Sequence, residues 1–195
     1  WEGKTDEVQL GISAEIFHVM AVTCSAYPSL AGQTAIAAPM ETLAQQLRPL
    51  LTDPDMRDPT ALSHAALGVC AWAMTRKTLD AKLQKELPAS AKQLTNLRDG
   101  AYWEPSWFNA FGGTVEATAA AMELMVTLDP EAFQAQLRRS LQYILSTQES
   151  FGAWHNARGT AAAVRALLLV PPTRKEIPST VEVLVDGKTV RKVEI

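Results

Sequence analysis

Side chains able to do chemistry are few in this sequence and stand far apart. Three histidines (His18, His64, His155), two cysteines (Cys24, Cys70) and one short acidic run, "DPDMRD" at 53–58, are where a nucleophile, an acid–base pair or a metal site would have to start. His64 and Cys70 lie six residues apart in one apolar stretch. On a helix that is about 600° of rotation, so they do not share a face as metal ligands must. Each cysteine sits among apolar residues, where a small buried thiol is the ordinary state, and two cysteines make no disulfide framework. His18 and His64 fall inside apolar helical stretches and His155 in a polar turn, so all three read as structural or surface histidines. The prolines of "DPDMRD" and its place between two helices make it a capping turn, not an acidic cluster aimed into a cavity. The expectation is a chain with no catalytic, cofactor-binding or metal-ligating residue, and not an enzyme.

What does recur at regular spacing is a glycine–tryptophan turn in front of an alanine-rich helix. Trp154 in "QESFGAW" has a counterpart 51 residues earlier, Trp103 in "RDGAYW", and Trp1 precedes Trp103 by 102, twice that interval. The slot near Thr52 holds no tryptophan. After each slot a small or hydroxyl residue opens an apolar helix: Ser13, Thr60, Thr114 and Thr160. Self-similarity at such a period marks an array of one supersecondary unit. Between these inner helices, residues 40–51, 79–96 and 130–147 carry one apolar stripe opposite charged and amide residues, the pattern of outer helices. Asp58-Pro59 and Asp129-Pro130-Glu131 supply an N-cap acid and a proline at the first helical position.

Inner helices apolar nearly all round, alternating with one-sided outer helices, predict an all-α fold: a partial α/α toroid of helical hairpins. Four inner helices are too few for the usual ring of six, so an open arc is expected. The glycine permits a tight path at the crowded rim and the indole fills the gap between successive inner helices. After Pro171-Pro172 the pattern changes to alternating valines around Asp186-Gly187, a short C-terminal β-hairpin and the edge of a following β-sandwich. The division expected is 1–172 for the helical region and 173–195 for linker and hairpin.

The 195 residues are 47% hydrophobic but only 7% aromatic, so a core would be built from Ala, Leu, Val and Met. Net charge is −3, which offers no basic stripe for nucleic acid, and no run of 18 apolar residues spans a membrane. The chain opens on Trp1 with no signal-like segment ahead of its first helix, so it is expected to be a piece of something longer. None of Asn96, Asn109 and Asn156 begins a glycosylation sequon, which favours a bacterial source.

"YWEPSWFNAFGGTVEATAAAMELM", then "FGAWHNARGTAAAVRALLLV", then a proline-rich link into "VEVLVDGKTV" resembles the C-terminal half of the thioester-containing helical domain of the α2-macroglobulin and complement family, with the start of the adjoining β-domain. The Trp103 turn, Val115-Glu116-Ala117-Thr118 and Gly152-Ala153-Trp154 ahead of Thr160 carry the likeness, which covers about residues 98–195. The resemblance implies a module of a protease-trapping endopeptidase inhibitor that supports and shields a thioester, with proteases and neighbouring β-sandwich domains as partners, in the periplasm or outside the cell. It does not supply the thioester itself: the family's Cys-x-Glu-Gln segment is absent, since Cys24 is followed by "SAYP" and Cys70 by "AWAM".

The alternative is a toroid-fold enzyme acting on isoprenoids, because "QESFGAW" is also similar to the Gln-and-Trp repeat of terpenoid cyclases. Such an enzyme needs aimed acids and an aromatic lining, and five Phe, three Tyr and five Trp, several in rim turns, are a poor supply. "WEPSWFNAF" reads as packing at a domain seam or as a contact patch.

Overall fold

The structure is a computed structural model. It describes residues 2–56, 58–94, 100–105, 112–169, 180–185 and 188–194, with the backbone alone for 2–8 and 180–194. Eight α-helices occur among the described residues and the fold is all-α. Four of them, α1 (Glu2–Ala26), α4 (Pro59–Arg76), α6 (Gly113–Leu128) and α8 (Ala157–Leu169), pack side by side in chain order. Three more, α3 (Thr34–Leu47), α5 (Leu83–Gln93) and α7 (Gln134–Ser146), each lie against the two inner helices that flank them in sequence. The single turn α2 (Pro28–Ala31) leads from α1 to α3, and a 3₁₀ turn at Arg48–Thr52 continues α3.

Helix starts follow local chemistry. Asp58 Oδ1 accepts the Ala61 N–H at 2.7 Å and Pro59 holds the first helical position, so α4 begins where its orphan donors are satisfied. Lys77, left-handed at φ 57°, ends it. Along α4 almost every residue from Pro59 to Ala73 is buried, whereas α5 buries only Leu83, Leu87, Ser90 and Ala91, and α7 only Leu137, Ser140 and Ile144. That contrast is the inner–outer distinction in side-chain terms. The α1–α4 seam is close: a Cβ on Gly68 would stand 2.5 Å from Phe17 Cδ1 and 3.1 Å from the His18 Cα. Only glycine fits there.

Element boundaries depart from the expected ones in four places. The first inner helix runs from residue 2, well before Ser13. Helix α3 starts at Thr34, six residues ahead of 40, and carries Pro39 in its interior; the proline removes one amide donor without ending the helix. Helix α5 occupies Leu83–Gln93 within the expected 79–96, opened by Asp80, whose Oδ1 accepts the Leu83 N–H at 2.6 Å. Asp129 accepts the Ala132 N–H at 3.0 Å, but this closes a separate turn, and α7 begins only at Gln134.

Strands β1 (Thr180–Val185) and β2 (Lys188–Glu194) pair antiparallel, with a register shift between Val183 and Leu184. The turn at Asp186-Gly187, the link at Pro171-Pro172, the 172/173 boundary, Trp1 and most of the "WEPSWFNAF" loop lie outside the described residues.

Candidate functional site

Two features gather polar groups onto the inner helices: the tryptophan turns and a charged cluster between the helices. Trp103 donates its indole N–H to the Leu94 carbonyl at the end of α5, at 2.5 Å, and its backbone N–H to Thr118 Oγ1 on α6 at 3.3 Å. Trp154 repeats both bonds, its indole to the Ile144 carbonyl of α7 at 2.6 Å and its backbone N–H to Thr160 Oγ1 on α8 at 3.0 Å. Each indole is buried, and each turn is made by a glycine with positive φ, Gly100 at 75° and Gly152 at 87°. The turn therefore ties the end of one outer helix to the start of the next inner helix. The 51-residue interval marks the two tryptophans alone, since the threonine partners lie 15 and 6 residues after them.

The charged cluster has two tiers. Near the starts of α6 and α8 and the middle of α1, Arg158 of α8 sends Nε to Glu116 Oε1 of α6 at 2.6 Å and a terminal nitrogen to Glu15 Oε2 of α1 at 2.5 Å. The second oxygen of Glu116 accepts the Gly112 N–H at 2.8 Å. One arginine thus spans the first and last of the four inner helices, so their row is curved. Deeper in, His18 of α1 and His64 of α4 face each other with their Nδ1 atoms 3.0 Å apart. Glu123 of α6 lies 3.8 Å from His18 Nε2, and Arg165 Nε of α8 stands 3.3 Å from its other oxygen without the alignment of a hydrogen bond.

Burial and charge set the protonation of these groups. Burial first, then the positive field of Arg165, lowers the His18 pKa to about 4. Burial, His18, Arg165 and Arg158, in that order, lower His64 to about 3. Both imidazoles are neutral near pH 7. Burial raises Glu123 against the opposing pull of Arg165. For Arg158 burial opposes the charge, but its bonds to Glu15 and Glu116 outweigh that and keep the guanidinium more firmly protonated than usual.

A facing pair of neutral imidazoles needs one Nδ1–H donor and one bare Nδ1 acceptor. Glu123 lies on the Nε2 side of His18, 3.8 Å away. The order Glu123, His18, His64 has the look of a proton relay, yet it ends within the core: both histidines are buried and among the described residues no group of three or more potential ligands could hold a metal ion. The arrangement is suited to joining helices.

Of the residues singled out from sequence, His155 is exposed in the last turn, and Cys24 and Cys70 are free and buried, Cys70 with Met74 Sδ 4.0 Å away. In "DPDMRD", Asp53 and Asp58 spend their carboxylates on backbone amides, of Asp55 and Ala61. Sequence reasoning missed the cluster as a whole. A signal was present: His18 and His64 sit five and four residues after Ser13 and Thr60, nearly matching places in successive units. A groove of about 880 Å³ opens beside α8, lined by Phe151, Ala153, Val164 and Leu168 with Thr160 and Arg165.

No family model, no curated protein and no solved structure matches the chain. Among the described residues no helix is long and apolar enough to cross a membrane.

Proposed function

We propose that this chain is a helical-repeat module of an α2-macroglobulin-like protease trap, a bacterial endopeptidase inhibitor of the periplasm or cell exterior. Its role is to support and shield a thioester carried elsewhere in the protein. It binds no cofactor and catalyses nothing itself. The observation that carries this reading is the repeated tryptophan turn, because Trp103 with Thr118 and Trp154 with Thr160 are the residues on which the resemblance rests, and each pair fastens an outer helix to an inner one.

Two further observations agree. The inner helices at the two ends of the row leave one apolar side open, Ile12, Ile16 and Val19 on α1 and Val164 and Leu168 on α8, as the ends of an arc of a toroid would. The polar cluster of the inner layer is spent on ion pairs and buried imidazoles. In this reading a β-domain that includes β1 and β2 covers the thioester until proteolysis of a bait segment moves it. A protease lysine then attacks the thioester carbonyl, an amide forms, and the cysteine thiolate leaves.

The test is incubation of the full-length protein with a broad-specificity protease, beside a methylamine-treated control. The expected result is a protease adduct that survives boiling in detergent and is absent from the control. Absence of any adduct, with no protection of the protease from large inhibitors, would refute the trap reading. Turnover of a prenyl diphosphate would replace it with the isoprenoid-enzyme reading.

A further inference from the structure

We propose that the facing pair His18–His64 is an acid-operated latch on the α1–α4 seam, closed while both imidazoles are neutral and released by their protonation, so that α1 swings away while the remaining helices stay folded. The inference is independent of the protease-trap reading.

The geometry makes the seam sensitive to protons. Two Nδ1 atoms at 3.0 Å tolerate a single shared hydrogen. A first extra proton leaves that shared bond intact and turns the pair into a single cation. A second forces two N–H donors and two positive charges against each other, and the rings must part. The seam has no slack to let them part in place, since Gly68 stands one turn after His64 and its missing Cβ is the space that Phe17, beside His18, occupies. Separation of the rings therefore moves α1 as a whole.

The surroundings favour release. The charged groups acting on the pair from neighbouring helices are Glu123 on α6 and Arg165 and Arg158 on α8. The two arginines oppose any added positive charge, and Glu123, raised by its own burial, loses its compensating charge early as the pH falls. Charges on the outer layer are engaged elsewhere: Glu41 accepts the Trp72 indole N–H, and Arg48 pairs with Asp80 and Glu86. Lowered pKa values at both imidazoles agree with a closed state that excludes protons. Glu15 also holds α1, through Arg158, and the histidine variants separate its contribution from that of the pair.

Cys24, buried on α1, is a built-in reporter of release. In a Cys70→Ala background it is the sole thiol, and 4,4′-dithiodipyridine reads its accessibility in acid. The labelling rate, normalised to the unfolded chain at each pH, should rise on the order of tenfold or more between pH 7 and about pH 4.5, while far-UV circular dichroism shows most of the helix retained. The rise should vanish in His18→Gln/His64→Gln and persist in His155→Gln. A flat rate in the parent, or the same rise in the double variant, which would assign it to carboxylates, overturns the latch. If the double variant does not fold, His18→Gln alone decides: with no facing charge left the rise must shrink, and an unchanged rise refutes the proposal.

Discussion

Trp103 and Trp154 show what a single repeated residue does here. Each uses both of its N–H groups, one on the outer helix behind and one on the inner helix ahead, so truncation loses packing and two anchors together. Trp154→Ala is expected to destabilise by about 3–5 kcal/mol and Trp154→Phe by about 1–3 kcal/mol, since phenylalanine fills most of the space but leaves the Ile144 carbonyl unpaired. The same substitutions at Trp103 should rank the same way in chemical denaturation, because the bonds are the same. The histidines give a second prediction. Their folded-state pKa values, about 4 and about 3, lie below the ordinary 6.5, so in that window the unfolded chain binds more protons than the folded one. Their contribution is whole above pH 6.5 and is lost as the pH falls. From His18 alone the loss is on the order of 3 kcal/mol once the pH has passed its folded value. Urea midpoints should be level from pH 8 to about pH 6.5 and then fall down to pH 4.5, and fall less in His18→Gln.

Helices α3 and α5 share an oddity: each carries an exposed proline at its sixth residue, Pro39 and Pro88. The ring removes the donor that would bond four residues back and crowds that carbonyl. Pro39→Ala should therefore stabilise the fold by about 1–3 kcal/mol, seen as a higher thermal midpoint, unless the freed chain entropy of the unfolded state offsets the gain. The prolines also explain what was and was not legible in the sequence. Inner helices α4, α6 and α8 begin within three residues of Thr60, Thr114 and Thr160, because hydroxyl residues, Asp58-Pro59 and the glycine turns are local signals and do not depend on the partner. The start of α3 was hidden by a proline that the packed helix tolerates. The spacing of Asp129 to Pro130 and Glu131 suits a helix cap, whereas the turn that Asp129 closes precedes the helix. The charged cluster is legible only in part, in the similar placement of His18 and His64: His18, His64, Glu123 and Arg165 come from four helices, and which of their faces meet is decided by tertiary packing.

At the scale of the whole molecule each hairpin touches its neighbours in sequence. Side-chain bonds between adjacent units join residues 31 to 46 apart, as with Trp72 to Glu41 and His18 to His64. Arg158 to Glu15 reaches much further, 143 residues. Bonds of the first kind can form one after another as a row assembles from any starting unit. A bond of the second kind can form only when every intervening unit is in place, because its two ends are otherwise separated by the whole array. It should therefore be missing from the folding transition state. Removing it by Glu15→Gln is expected to leave the folding rate within about a factor of two and to speed unfolding several-fold, a φ-value near zero. Stopped-flow chevrons with a shifted unfolding limb and coincident folding limbs would show it. In kinetic terms, the Arg158 span adds nothing to how fast the chain finds its structure and lengthens how long the structure survives.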